Sequence, residues 1–201
     1  MTIPLMEQVE DLWNLLFRRE RFHTLQNSSN GFTLCETLNN RHGTCLGLST
    51  LFFSLAISLG IPIRPLLMEG HIATVFMEGD GIVIDPSRSS YGFCPIPFDM
   101  KDNDHFKILS HEEFLAVHLS NRASLVYARV GLMDDAIFLI DSALEIFPDY
   151  TAGWINRAVI MKKLENTKEM RCSLDIAKSL NPGVRYTRAI ERIENNELIT
   201  T

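Results

Sequence analysis

Cys45, His71 and Asp85 follow one another along the chain in the order of a cysteine nucleophile, its base and the group that orients the base. A thiol attacks acyl carbons as its thiolate. It therefore needs an imidazole within reach, a helix N-terminus to favour the negative charge, and a third group to hold the ring. Thr44 can cap a helix whose first residue is Cys45, and Gly43 lets backbone and substrate approach closely. His71 stands at the head of a β-rich run and Asp85 at the end of the next. An oxyanion would meet the backbone N–H of Cys45 and a side chain just upstream, for which Asn40 is the candidate; His42 is placed on the turn before the helix, exposed or on the substrate rim.

Each of these residues also has a plainer reading. A lone cysteine is commonly a small buried hydrophobe, a histidine on a strand can be a satisfied core or edge residue, and an aspartate ahead of Pro86 is a natural turn former. Cys35, Cys94 and Cys172 carry no chemistry in this reading: no CxxC pair or regular spacing supports a zinc cage or a disulfide framework. A mixed Cys45, His71 and Asp85 metal site is the weakest alternative, because the local sequence lacks metal-binding spacing, and no metal or cofactor is expected.

The flanking elements must place the three residues. Residues 46–59 are apolar on most sides and end at Gly60 and Pro62, as suits a helix in the middle of a domain. Before it, Met6, Val9, Leu12, Trp13, Leu16 and Phe17 recur at helical spacing behind Pro4, and Phe32, Leu34 and Leu38 suggest a shorter helix. After it, residues 63–68, 71–77 and 82–85 read as three strands, the last two as a hairpin. Successive strand residues alternate faces, so His71 and Asp85 share a face only if an odd number of residues forms the loop. A five-residue loop over 77–81 sets Asp85 opposite Ala73, with His71 on the diagonal at about 7 Å. Residues 86–104 read as a long loop, and Ser110 with Glu113 as a capping box ahead of a helix.

The last third carries an internal repeat. Ala143 and Ala177 are 34 residues apart, as are Pro148 and Pro182. Tyr127, Gly131, Ala136, Ile140, Ala143 and Pro148 fall where the tetratricopeptide (TPR) pattern wants them. The second copy keeps Trp154, Ala177 and Pro182, has Met170 for the small residue and lacks the glycine. TPR-like helix pairs are expected, with a capping helix over residues 184–194.

Bulk composition narrows the functions. With 201 residues, 46% of them hydrophobic, the chain has apolar mass for a core and an appendage. A net charge of −6 argues against sequence-independent binding to nucleic acid, which needs a basic footprint. No stretch is apolar and long enough to span a bilayer, and the first 21 residues do not read as a secretory leader, so a cytoplasmic protein without membrane contact is expected.

The run Asn40-Arg41-His42-Gly43-Thr44-Cys45-Leu46-Gly47-Leu48-Ser49, then Gly60-Ile61-Pro62-Ile63, Glu69-Gly70-His71 and Ile84-Asp85-Pro86, resembles the transglutaminase-like superfamily. Within it the chain looks most like the SirB-type branch, in which TPR repeats follow a short core. The resemblance implies an α+β, papain-like core over residues 1–109, with a central helix packed on a small antiparallel sheet, and an all-α TPR-like tail over 110–201. It further implies acyl transfer or hydrolysis at amide bonds through a thioester, with Cys45 as nucleophile, His71 as base and Asp85 as orienter. The chain departs from larger relatives in having no tryptophan or glutamine obviously placed as an oxyanion donor. Two functions stand side by side. One is a cysteine-dependent amidase, protease or acyltransferase whose tail presents a protein or peptide. The other is a non-catalytic scaffold that binds a partner segment through the tail.

Overall fold

The computed structural model describes residues 4–25, 33–78, 81–91, 93, 96–97 and 106–195. The chain divides into two compact units, Met1–Ser110 and His111–Thr201.

In the first unit, Pro4 precedes α1 (Leu5–Trp13), which continues as a π-helical turn over Asn14–Arg19. Val9, Leu12, Trp13, Leu16 and Phe17 form its buried stripe, as their spacing predicts. A short strand β1 (His23–Thr24) follows, then α2 (Leu34–Asn40). Thr33 and Glu36 build a complete capping box for α2, a signal that the apolar pattern alone does not reveal. Arg41, in the left-handed conformation, ends α2 and turns the chain into β2 (His42–Gly43), which pairs parallel to β1.

The central helix α3 (Cys45–Ser58) opens where its cap predicts: Thr44 Oγ1 accepts the Gly47 N–H at 3.4 Å. Leu48, Phe52 and Ala56 are wholly buried along it, and it packs on strands β3 (Ile63–Met68) and β4 (His71–Phe76). Gly60, in the left-handed region, closes the helix. A five-stranded antiparallel sheet runs in the order β6-β5-β4-β3-β7, with β5 at Ile82–Ile84, β6 at Ile96–Pro97 and β7 at Lys107–Ile108. Residues 72–76 of the middle strand are buried without alternation, because both faces of β4 are covered. Gly70, also left-handed, closes the tight turn between the paired residues Met68 and His71.

Two expectations need amendment. Residues 86–104 are not all loop: Pro86–Tyr91 is 3-10 helical with a kink at Arg88, and β6 adds a strand to the sheet edge. Cys94, Pro95 and 98–104 lie outside the described residues. His42 is not exposed on a free turn but half-buried in β2, since its backbone pairs with β1 and its ring stands 5.7 Å from that of His23.

The second unit is helical throughout its described residues. Helix α4 (His111–Arg122) passes through a π-helical turn (Ala123–Tyr127) into α5 (Ala128–Val130); then come α6 (Met133–Ile146), α7 (Thr151–Lys163), α8 (Thr167–Ser179) and α9 (Val184–Glu194). Helix α4 packs on α6, and α7 on α8 and α9. Helices α6 and α8 begin 34 residues apart, at Met133 and Thr167, and positions 34 apart bury alike: Ile140 with Leu174, and Ala143 with Ala177. The glycine missing from the second copy leaves its geometry behind, because Glu165, 34 residues after Gly131, keeps the left-handed backbone. Met170, where the first copy has Ala136, is partly buried against the core cluster that includes Leu174 and Ile190. Gly153 brings α7 close to its neighbours: a Cβ there would lie 2.8 Å from Tyr150 Cδ1 and 2.9 Å from Leu144 Cδ2.

Candidate active site

The sheet register decides whether the three residues meet. Thr74 pairs with Ile84, Val75 with Val83 and Phe76 with Ile82, leaving a five-residue connection between Phe76 and Ile82. Continued by one residue, this register sets Asp85 opposite Ala73, on the same face as His71. The diagonal is closed by a hydrogen bond of 2.8 Å between His71 Nε2 and Asp85 Oδ2. With Nε2 so occupied, Nδ1 is the ring nitrogen left for the hydrogen bond that His71 shares with the Cys45 thiol.

Two elements hold the cysteine and histidine against each other. Cys45 is the first residue of α3, where unsatisfied N–H groups and the helix dipole favour a negative charge. His71 opens β4, and the next residue is tied to α3: the buried Ser49 hydroxyl donates to the Ile72 carbonyl at 3.0 Å. Helix and strand are thus pinned one turn beyond the cysteine.

The electrostatics follow from this packing. Burial alone would push the Cys45 thiol up, but the hydrogen bond and charge of His71, with the Ile72 backbone N–H, bring it below its ordinary value; the Asp85 charge opposes them. Burial would pull His71 down, yet its hydrogen bonds to Asp85 and Cys45 and their negative charges raise it to about 9. Burial likewise works against ionised Asp85, and His71 and Ser87 more than offset it, holding the carboxyl below its usual range. The three shifts act in one sense: each favours the charged form of its group, thiolate, imidazolium and carboxylate.

Asp85 serves two structures at once. Its Oδ1 accepts the Ser87 N–H at 3.0 Å and the Ser87 hydroxyl at 2.7 Å, and its carbonyl accepts the Arg88 N–H at 3.0 Å. It is therefore the cap of the Pro86–Tyr91 helix, with Pro86 in the first helical position. One carboxylate oxygen thus serves the turn and the other the imidazole. Arg88 adds a guanidinium, its Nε 3.5 Å from Asp85 Oδ2 and its side chain 67% exposed.

Asn40 lies exposed at the end of α2, and His42 sits in β2 three residues before the cysteine. Neither has a hydrogen bond to Cys45, His71 or Asp85 among those described. Ser87, Arg88 and Ser49 were missed by motif reading. Ser87 was within reach of it, since an aspartate whose side chain accepts from the residue two ahead is an Asx turn; Ser49 was not, because its partner is a carbonyl on another element. Among the described residues, no group of three or more histidine, cysteine, aspartate or glutamate side chains is placed to hold a metal ion. None of the described helices is long and apolar enough to cross a membrane.

Residues 3–91 match the family model of the Transglutaminase-like superfamily. No curated protein matches the chain. Among solved structures, the chain is similar in fold to menin, in the crystal structure said to reveal that protein's binding site for Mixed Lineage Leukemia (MLL) protein. The TM-score is 0.56 at 12% identity, covering 94% of this chain and 58% of the menin chain, so the chain spans little more than half of menin's length. At that identity the likeness concerns the fold alone. Cys45, His71 and Asp85 all lie within residues 3–91, the segment that matches the transglutaminase-like model.

Proposed function

We propose that the first unit is a cysteine-dependent acyl-transfer or amide-hydrolysis enzyme acting on a protein or peptide, with Cys45 as nucleophile, His71 as acid and base, and Asp85 as orienter. The observation that carries this reading is the 2.8 Å bond from His71 Nε2 to Asp85 on a ring also hydrogen-bonded to Cys45. The Cys45 thiolate attacks the carbonyl carbon; the C–S bond forms as the carbonyl electron pair moves to oxygen. The resulting oxyanion is met by the Cys45 backbone N–H at the head of α3, with Asn40 and His42 on the substrate rim. His71 gives its proton to the departing amine, the C–N bond breaks, and a thioester remains. Water or a second amine then attacks the thioester, His71 takes the proton, and the thiolate leaves. The order of a short core followed by helical repeats fits a SirB-type protein, and the absence of a long apolar helix among the described residues is compatible with a cytoplasmic setting.

A second reading concerns the tail. The 34-residue repetition of αL turn, buried alanine and helix start supports TPR-like pairs in residues 111–195, a surface suited to a short partner peptide. Menin's reported MLL-binding site belongs to menin, and a partner site here is our inference from the repeat alone.

Labelling by a neutral thiol electrophile between pH 5 and 9 separates catalysis from scaffold. An activated Cys45 dominates labelling near pH 6, and Cys45→Ala removes that fast phase by about 10²-fold or more. Equal labelling of the two proteins would rule the enzyme reading out. A peptide pull-down that survives Cys45→Ala but is lost on disrupting the tail with Ile140→Asp would support the scaffold.

A further inference from the structure

Asp85 accepts more bonds than an orienter needs, and one side of the carboxylate faces away from His71. Oδ2 accepts from His71, while Oδ1 accepts two bonds from Ser87, one from backbone and one from the hydroxyl. Ser87 is itself held from a distant part of the chain. The Thr24 hydroxyl of β1 donates to the Ser87 carbonyl, 63 residues away in sequence, with both groups partly buried. Because β1 pairs with β2 through His23 with His42 and Thr24 with Gly43, the clamp returns to the segment that enters α3 at Cys45.

We propose that Ser87 and Thr24 are positioning residues for the site, forming a relay Thr24–Ser87–Asp85–His71 that fixes the carboxylate plane against the imidazole. This rests on the catalytic reading given above. A carboxylate bonded on one oxygen alone can rotate about its Cβ–Cγ bond; bonds on both oxygens fix that rotation, and charge-assisted bonds are the stronger kind. The two Ser87 donors also stabilise the ionised carboxylate, and so the imidazolium and thiolate it faces. The charged and titratable neighbours of Asp85 are His71, Cys45 and Arg88, and Arg88 is the most exposed of them. Its mostly solvated guanidinium, at 3.5 Å, cannot replace the Ser87 contacts in fixing orientation.

The test is the rate of Cys45 alkylation by iodoacetamide against pH, read by mass spectrometry at the Cys45 peptide so that Cys35, Cys94 and Cys172 do not contribute. A neutral reagent avoids any direct effect of Arg88. Ser87→Ala lowers the rate at pH 6 by about tenfold and moves the inflection upward, Ser87→Thr restores the wild-type profile, and Thr24→Val gives a smaller loss of about threefold. Thermal melts of all three variants accompany the profiles. An unchanged inflection in Ser87→Ala overturns the relay while leaving the catalytic reading intact, and so does an equal loss in Ser87→Ala and Ser87→Thr. A wild-type inflection at the ordinary thiol value overturns the catalytic reading and the relay with it. If Ser87→Ala fails to fold, Thr24→Val, which keeps every direct bond to Asp85, decides: a profile matching wild type counts against the relay.

Discussion

Each of the two units carries a network of charged side chains, and the networks differ in what they leave open. In the first, Cys45, His71 and Asp85 pass a proton-sharing contact from thiol to ring to carboxylate. In the second, Arg157, 15% exposed, donates from Nε to Asp141 at 2.8 Å and from Nη1 to Glu169 at 3.2 Å and to Ser173 at 2.9 Å. Burial works against the Arg157 charge, and the two carboxylates more than offset it, raising the guanidinium above an already high value. No proton is available there at any ordinary pH, and Nε and Nη1 are matched to acceptors within the unit. The first network instead has two groups shifted in opposite directions, the thiol down and the imidazole up, and it ends in a half-buried sulfur. Pairing and burial alone mark a structural clamp; a site also needs a group that changes protonation and an atom whose reactivity is unused.

The largest test of this contrast is Asp85→Asn. An amide cannot stabilise the imidazolium as a carboxylate does, so Cys45 alkylation at pH 6 and any amide turnover fall by about 10²-fold or more, while the fold persists by circular dichroism. Retention of the fast phase would place Asp85 with the structural clamp instead. The pH profile follows from the shifts. Reactivity rises as the Cys45 thiol ionises below its ordinary value, and turnover declines as His71, raised to about 9, loses the proton needed by the leaving amine.

Stability carries the same signature. His71 binds its proton more tightly folded than unfolded, so its contribution is complete below about 6.5 and is lost as pH climbs through about 9. Asp85 is depressed, so its contribution is present above 3.8 and lost as pH falls through the lower folded value. Thermal melts of wild type and His71→Ala therefore differ in pH dependence mainly across the alkaline window. A parallel offset at every pH would argue against the linkage.

Arg157→Met should act oppositely: about 1–2 kcal/mol of stability lost by denaturant unfolding, with no change in Cys45 alkylation. The loss stays below that of a fully buried pair, because Asp141 and Glu169 remain 44% and 39% exposed and regain water. The smallest effect belongs to the repeat turn. Glu165→Gly relieves a left-handed non-glycine backbone and raises stability by up to about 1 kcal/mol, whereas Gly131→Ala, whose Cβ would meet nothing within 4 Å, loses about as much through backbone strain alone. A gain from Glu165→Gly with no loss from Gly131→Ala would show that the two turns are not equivalent.

Local chemistry carried much of this protein into view. Thr44 ahead of an apolar run is a helix start whatever surrounds it, and β-branched runs divided by Glu69-Gly70 and by residues 78–81 are strands for the same reason. Parity was legible only as a condition, an odd loop, and the register that leaves five residues between Phe76 and Ile82 meets it. The 34-residue period was legible because paired helices need small residues at fixed places, and Ala143 and Ala177 are both fully buried. What depended on distant partners was not legible. No pattern in residues 86–91 says that a threonine 63 positions from Ser87 will hold its carbonyl, nor that Ser49 will bind a strand carbonyl. His42 looked like a free turn residue because its partner strand β1 is two residues long, too short to leave a hydrophobic period. Arg157 drew no attention because Asp141 and Glu169 lie on other helices. Residue type and spacing determined the chain order of Cys45, His71 and Asp85 and the parity condition for their sharing a face. Only the packing of β1 and α3 around them decided that the carboxylate is held from both sides and that thiol and ring touch, since those contacts arise from segments that meet in space alone.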